Sequence, residues 1–434
     1  MQTKHQQTLR MFFALIISVL YILGFVGIYY PIKISNLNLA PLIQHCFVSL
    51  SIGFGLLLIF IILLTLIFGR IYCSTLCPLG LFQELCCFIF HRKKNSISRN
   101  LVLKYFIAAI AFGTLFGGTS YVLHWVDPYT IFGSAISGTS WGIYGLIFLA
   151  ILVFFKKRYF CTNICPIGTI LGLFSRHAYY KITINKDSCV ACGLCAQKCP
   201  AECIDYKNKQ INNETCLKCL KCLNLCHNNG ISYTHIKNPQ QPYKEPNKSR
   251  RKFLIQGASL LTLVIAYKAG INFSKNIAKK IKDYILPPGA GSTEKFINTC
   301  LNCNLCVQNC PSKIIQKADK DFPTVHIKYG KNSCLYDCHK CSDICPSGAL
   351  KNLSLKQKQK TQIALAVIDE NICIKCGICA MECPHKSITK NVGEFPLINS
   401  KKCIGCGACR IACPVSAIKI KPINPQKYLG KEKL

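Results

Sequence analysis

The sequence predicts a membrane α-helical protein, with four transmembrane helices plus a fifth signal or anchor helix, that carries small α+β domains organised by cysteine. Three observations lead there: four apolar runs in the first 155 residues, a series of tight cysteine runs, and paired arginines ahead of another apolar stretch in mid-chain. At 434 residues, 50% of them hydrophobic, the chain suffices for two or three domains and a membrane module.

The apolar runs cover residues 11–29, 46–68, 101–123 and 138–155. Each is close to the roughly 20 residues that cross about 30 Å of hydrocarbon. Lys4 and Arg10 precede the first run, Arg70, Arg92, Lys93, Lys94 and Arg99 fill the gap after the second, and Lys156, Lys157 and Arg158 follow the fourth. The two alternate loops hold only Lys33, so the positive-inside rule sends both ends of this module, residues 1–180, to the cytoplasm.

An internal repeat lies in register with that topology. RIYCSTLCPLG from Arg70 and RYFCTNICPIG from Arg158 each set Cys-x3-Cys-Pro just past an even-numbered helix, 88 residues apart. Cysteines at i and i+4 share a helical face. Cys73, Cys77, Cys161 and Cys165 are therefore candidate cofactor-binding residues for a further metal or cluster, with a docking surface or reduced structural thiols as alternatives.

The 32 cysteines mostly fall at spacings of three and four, a pattern of metal ligation rather than of a disulfide scaffold. Residues 181–237 contain Cys189, Cys192, Cys195, Cys199 and Cys216, Cys219, Cys222, Cys226, two copies of C-x2-C-x2-C-x3-C. In that two-cluster ferredoxin spacing three cysteines hold one [4Fe-4S] cluster and the fourth ligates the other. The expected sets are Cys189, Cys192, Cys195 with Cys226, and Cys216, Cys219, Cys222 with Cys199. Thiolates also suit structural zinc, but paired four-cysteine runs favour clusters. His227 replaces the proline that usually follows the fourth cysteine, and Cys203 is left over.

Residues 238–252 join a proline-bearing spacer, with Pro239, Pro242 and Pro246, to Ser249-Arg250-Arg251-Lys252-Phe253-Leu254. With the modestly apolar stretch 253–273 this reads as a twin-arginine export signal. A plain fifth transmembrane helix is the alternative and sends the following domain to the same side. That domain holds four more runs. Cys300, Cys303, Cys306, Cys310 and Cys334, Cys338, Cys341, Cys345 lie in residues 290–352; Cys373, Cys376, Cys379, Cys383 and Cys403, Cys406, Cys409, Cys413 lie in residues 362–422. Exchange of each fourth cysteine within a pair gives four more clusters, six in all. Clusters are assembled in the cytoplasm, so such a domain must cross the membrane folded.

Together the modules resemble a known family. Residues 1–237 look like the NapH membrane ferredoxins, and residues from Ser249 onward resemble NapG and MauM, so nearly the whole chain resembles a NapH–NapG fusion. The departures are the fusion itself and His227, neither of which removes a ligand. The resemblance implies a quinol dehydrogenase component of the bacterial inner membrane, its first ferredoxin domain cytoplasmic and its four-cluster domain periplasmic. It would pass electrons from the quinol pool to a periplasmic cytochrome or reductase of the nitrate reductase type. Related modules accompany nitrous oxide reduction and methylamine oxidation, which leaves the acceptor open.

His45, His124 and Asp127 are candidates for quinol proton transfer, with interfacial polarity beside Trp125 and Tyr129 as the alternative. No Cys-x-x-Cys-His haem motif and no Gly-x-Gly-x-x-Gly nucleotide fingerprint occurs. The formal charge of +35 would ordinarily suggest nucleic acid. Six oxidised four-thiolate clusters lower it to about +23, and membrane loops hold part of the rest, so no nucleic acid is expected. A maturation or redox-sensing factor for a periplasmic metalloenzyme is the alternative function; six clusters in series favour a wire.

Overall fold

A computed structural model describes residues 2–26, 38–39, 41–43, 52–90, 101–235, 249–280, 284–317 and 324–423. His45, Lys33, Arg92, Lys93, Lys94, Arg99 and the proline-bearing spacer lie outside the described residues. Contacts divide the chain into two units, Met1–Gly24 with Ile32–Gly270, and Phe25–Pro31 with Ile271–Leu434.

The first unit begins with helices α1 (Gln2–Val26), α2 (Ile52–Phe68), α3 (Tyr72–Thr75), α4 (Pro78–Ile89), α5 (Leu101–Phe116), α6 (Tyr121–Val126), α7 (Pro128–Ile136), α8 (Ser140–Lys156) and α9 (Pro166–Arg176). Among the described residues one helix, Gln7–Val26, is long and apolar enough to cross a membrane. There are two if α7 and α8, bent by 118°, make one broken span. The third expected run is interrupted. Gly118 takes φ +88°, and the Thr119 amide bonds back to the Thr114 carbonyl at 3.0 Å, a Schellman stop that leaves α5 at 16 residues. Leu15, Leu56 and Phe148 are each more than half exposed, so these helices carry apolar side chains on their outer surface.

Pro78 and Pro166 sit at the first turns of α4 and α9, where a missing amide hydrogen costs nothing. α9 leads into a small ferredoxin-like lobe. Strand β1 (Tyr180–Ile184) pairs antiparallel with β4 (Ile231–His235), Ile182 opposite Tyr233, and β2 (Ile204–Asp205) pairs with β3 (Gln210–Ile211). Short helices α10 (Leu194–Gln197) and α11 (Lys221–Leu225) hold cysteines of the two runs. This lobe shares one hydrophobic core with the helices, in which Ile182, Ile204 and Leu217 join Leu79, Phe112 and Leu171. It is fastened by the Tyr179 amide to the Leu66 carbonyl at 2.7 Å and by the Tyr233 hydroxyl to the Phe68 carbonyl at 2.9 Å.

Helix α12 (Ser249–Lys280) contains the paired arginines and the fifth apolar stretch in one continuous helix. It crosses α5 at close range: a Cβ on Gly113 would lie 2.6 Å from the Leu263 carbonyl oxygen, and one on Gly117 would lie 2.4 Å from that of Tyr267. Gly113 and Gly117 face Ala266 and Gly270, so small residues four apart on both helices let the backbones meet, as in membrane helix pairs. Leucine at Gly117 is expected to pry α12 from α5. Cysteine crosslinking between the helices, efficient in the parent and lost in the variant, measures this.

The second unit has two ferredoxin-like repeats. In the first, β5 (Ile315–Gln316) pairs with β6 (His326–Ile327) beside the helix Thr293–Thr299; in the second, β7 (Ala364–Ile368) pairs with β10 (Ile418–Pro422), and β8 (Ile388–Thr389) with β9 (Leu397–Ile398). The two repeats are laced together by the Cys334 amide to the Cys406 carbonyl at 2.9 Å and by Arg410 Nη1 to the Tyr329 carbonyl at 3.2 Å.

Candidate iron–sulfur centres and a buried four-cysteine site

Backbone conformation marks the cysteine runs as one repeated device. Two and four residues after the first cysteine, five of the runs place left-handed residues: Ala191 and Gly193, Lys218 and Leu220, Asn302 and Asn304, Lys375 and Gly377, Gly405 and Gly407. Alternating left-handed positions turn successive amides toward one centre, a nest for an anionic group. The run Cys334-x3-Cys338 carries no such pair, because its extra residue changes the loop. Three residues past the fourth cysteine every run turns left-handed again, at Glu202, Asn229, Lys313, Gly348, Lys386 and Ser416. Holding a non-glycine residue there costs roughly 1–2 kcal/mol, which the structure around a bound group must offset.

The thiols assemble across runs. Burial, then the neighbouring thiols of Cys192, Cys189 and Cys226, push Cys195 up to about 11. Cys222 is pushed well up by burial and by Cys219, Cys216 and Cys199. In the second unit Cys306 is raised by burial and by Cys300, Cys303 and Cys345, and Cys341 by burial and by Cys334, Cys338 and Cys310. Cys379 responds to burial and to Cys376, Cys373 and Cys413; Cys409 is pushed up to about 12 by burial and by Cys406, Cys403 and Cys383. Each group thus combines three cysteines of one run with the fourth of its partner. Among the described residues no three such side chains lie close enough to hold a single metal ion. A four-iron cluster sets its ligands further apart.

The fit to a cluster extends to the sulfurs' surroundings. Backbone amides donate to the fourth cysteine's sulfur: Gly230 to Cys226 and Ala417 to Cys413 at 3.2 Å, Leu350 to Cys345 and Ser387 to Cys383 at 3.4 Å. Such bonds stabilise thiolate and tune a cluster's potential. Cys203 lies with its sulfur 3.6 Å from that of Cys199. Its hydrogen bond, followed by the charges of Lys218 and Arg70, outweighs burial and draws Cys216 down to about 6. Ser387 stands in the equivalent place, its hydroxyl 3.1 Å from the Cys383 sulfur. His227 is exposed.

The Cys-x3-Cys-Pro copies converge on one buried site. In both, the backbone closes a wide turn, the Cys77 amide donating to the Tyr72 carbonyl at 3.1 Å and the Cys165 amide to the Phe160 carbonyl at 2.9 Å; the second is a π-helical turn, Phe160–Ile164. Cys73, Cys77, Cys161 and Cys165 are all buried and unbridged. Burial pushes the Cys77 thiol up, with the thiols of Cys161, Cys73 and Cys165 adding. The arginines that open the repeats are exchanged: Arg70 Nη2 donates to the Cys161 carbonyl at 2.8 Å, and Arg158 Nη2 to the Cys73 carbonyl at 2.6 Å. Both are 0% exposed. Gly80 and Gly168 make room, since a Cβ on either would lie 2.7 Å from Arg158 Nη2 or Arg70 Nη2 respectively. Alanine at either glycine is expected to cost about 1–3 kcal/mol, read as a lower thermal midpoint of the detergent-solubilised chain.

Arg10, Arg70, Lys157 and Arg158, which flank the apolar runs in the sequence, are all buried. The signal for Arg70, Arg158, Gly80 and Gly168 was present in the repeat, whose period includes arginine and glycine as well as cysteine. Glu84 is the carboxylate of this region, 2.8 Å from Arg10, 3.0 Å from Lys221 and 3.8 Å from Arg158.

The candidate proton-transfer residues sit elsewhere. His124 is buried with its ring centroid 4.6 Å from that of Trp141. Asp127 is buried and caps α7, its Oδ2 accepting from the Thr130 amide at 2.9 Å and hydroxyl at 2.8 Å. Trp125 is exposed, whereas Tyr129 is buried against Tyr21 and is not an interfacial belt residue.

A family described as "4Fe-4S binding domain" matches residues 50–96 and 137–184, the two copies of the Cys-x3-Cys-Pro repeat, and another of that description matches residues 182–205. Families described as "4Fe-4S dicluster domain" match residues 299–349 and 366–420. An uncharacterized protein of Methanocaldococcus jannaschii is 29% identical over 41% of this chain and 77% of its own length. The methylamine utilization ferredoxin-type protein MauN of Paracoccus denitrificans is 29% identical over 31% of this chain, which spans half of MauN. The ferredoxin-type protein NapF of Escherichia coli is 29% identical over 26% of this chain and 87% of its own length. The chain is an iron–sulfur, ferredoxin-type electron-transfer protein built from repeated 4Fe-4S binding domains.

Proposed function

We propose that the chain is a NapH–NapG-type fusion of the bacterial inner membrane that moves electrons from the quinol pool to a periplasmic reductase, most closely of the nitrate reductase type. The observation that carries this reading is the cross-run assembly of all 24 ferredoxin cysteines into six groups, with one ferredoxin lobe packed on the ends of apolar helices. Each group would hold one [4Fe-4S] cluster, which accepts and releases one electron at a time. α1, α2, α5 and α8 are the membrane helices, and α12 is the twin-arginine segment that sends the second unit across. The first lobe is cytoplasmic and the second unit periplasmic. His124 and Asp127 serve the quinol side as proton acceptors.

Adjacency orders the groups of the second unit. The field of Cys341 reaches Cys306, that of Cys406 reaches Cys334, and that of Cys379 reaches Cys409. The order is therefore the Cys300 group, the Cys334 group, the Cys403 group and last the Cys373 group. Cys376 of that last group is exposed, and the same repeat also exposes the apolar side chains of Ile374, Met381 and Val392. This end is the exit. From Pro287 onward 22 Lys+Arg face 10 Asp+Glu, so an acidic partner is steered toward it. Its reduction rate is expected to fall as salt rises; a rate insensitive to ionic strength in stopped-flow mixing would refute the steering.

The defining experiment adds excess quinol to the purified chain in a bilayer and follows the clusters by electron paramagnetic resonance. Reduction of the second unit's clusters is expected. Clusters that stay oxidised would sink the quinol reading and leave a maturation or redox-sensing role.

A further inference from the structure

We propose that Cys73, Cys77, Cys161 and Cys165 jointly hold one additional [4Fe-4S] cluster between the two Cys-x3-Cys-Pro copies, its charge balanced by Arg70 and Arg158. This deepens the electron-transfer reading and rests on it. Neither copy alone has enough ligands: each contributes two thiols. The exchanged bonds from Arg70 to the Cys161 carbonyl and from Arg158 to the Cys73 carbonyl fasten the copies face to face.

Charge selects the occupant. Moving a guanidinium out of water is costly unless an anion accompanies it, and here two are wholly buried. Arg70 has carbonyl acceptors at Cys161 and Glu214 and the Cys73 sulfur at 3.8 Å as its hydrogen-bond partners. Arg158 reaches Glu84 only at 3.8 Å, and that carboxylate is already shared with Arg10 and Lys221. Four neutral thiols, or two disulfides, would leave this positive charge uncompensated. A four-thiolate [4Fe-4S] group carries about −2 when oxidised, which two guanidiniums match. A tetrathiolate zinc site has a similar charge but needs sulfurs about 2.3 Å from one ion, and no three cysteines of the described residues converge that tightly.

The surroundings fit a sulfur-ligated group in other ways. The Gly168 amide donates to the Cys165 sulfur at 3.3 Å. Gln83 is 0% exposed, with its Oε1 3.5 Å from the Cys161 sulfur and its Nε2 without a partner. That amide is a donor still in need of an acceptor, which cluster sulfide would supply. Position also suits relay: Arg70 Nη1 donates to the Glu214 carbonyl at 3.2 Å, two residues before Cys216, and the Arg158 amide bonds the Pro200 carbonyl at 3.2 Å, next to Cys199. The four-cysteine site is thus one arginine away from a ferredoxin group.

Counting iron and acid-labile sulfide in the full-length chain, reconstituted in lipid, tests the proposal. About 28 of each per chain are expected, against about 24 for six clusters alone. Cys73→Ser and Cys161→Ser should each remove four irons, four sulfides and one paramagnetic component. A parent count of about 24, or full iron retained in both variants, overturns the proposal while leaving the six-cluster reading intact. A parent count far below 24 fails that underlying assignment instead. Zinc or copper recovered at the site overturns it as well. As a variant that keeps all four thiols, Arg70→Gln is expected to retain about 28 irons while the extra component is reduced only at a lower potential than in the parent. An unmoved potential overturns the charge balance.

Discussion

Glutamine in place of Glu84 is expected to destabilise the helical unit by about 3–5 kcal/mol, the cost of leaving buried cations without their anion. Three basic side chains converge on this carboxylate, and its side chain is 16% exposed. Burial alone would raise its pKa; the Arg10 hydrogen bond and the charges of Arg158 and Lys221 prevail and bring it down to about 2. The sign follows from linkage. A carboxyl depressed in the folded state contributes stability that is complete above the unfolded value near 4.3 and disappears as pH falls through about 2, roughly 3 kcal/mol in all. Chemical denaturation followed by circular dichroism should show a gap between parent and E84Q that is constant from pH 8 to 5 and narrows below pH 4. A gap that widened on acidification would contradict the ion-pair account.

Stripping iron with a chelator under mild oxidation is expected to unfold residues 362–422 completely while α2, α5 and α8 persist. The second repeat's buried apolar cluster consists of Ala366, Cys379, Ile388, Cys403, Cys409 and Ile418, half of it thiol. Little hydrophobic stabilisation remains without the ligated group, and binding free energy becomes folding free energy. The strained left-handed residues Lys375, Lys386 and Ser416 add to the cost of the empty fold. Limited proteolysis before and after chelation measures this: fragments from the second unit should disappear first. Equal resistance in both states would show that packing alone sustains the repeat.

The presence of several 4Fe-4S binding domains was legible from cysteine spacing, because ligands must recur at intervals fixed by cluster size. The loop conformation was not. Left-handed positions usually announce themselves as glycine, yet Ala191, Lys218, Leu220 and Lys375 occupy them here. Local propensity disfavours this conformation in non-glycine residues, whereas a cluster at the centre of the turned amides would favour it. The repeat around Cys73 and Cys161 was legible as a repeat, but the exchange of its arginines was hidden, since an arginine beside an apolar helix reads as a loop charge until a tertiary partner is known. At Gly117-Gly118 the apolar run of the sequence continues to residue 123, whereas the helix stops at Phe116 because Gly118 turns left-handed.

Exchange between Arg70 and Arg158 also has a temporal side. A ribosome completes the first copy while its acceptor, the Cys161 carbonyl, is still unmade. Until the second copy arrives, the Arg70 guanidinium has to remain hydrated, so the early helices cannot reach their final packing during the first part of synthesis. The two halves are obliged to mature together, and a chain severed between α4 and α5 would regain its fold only when both fragments are produced in the same cell.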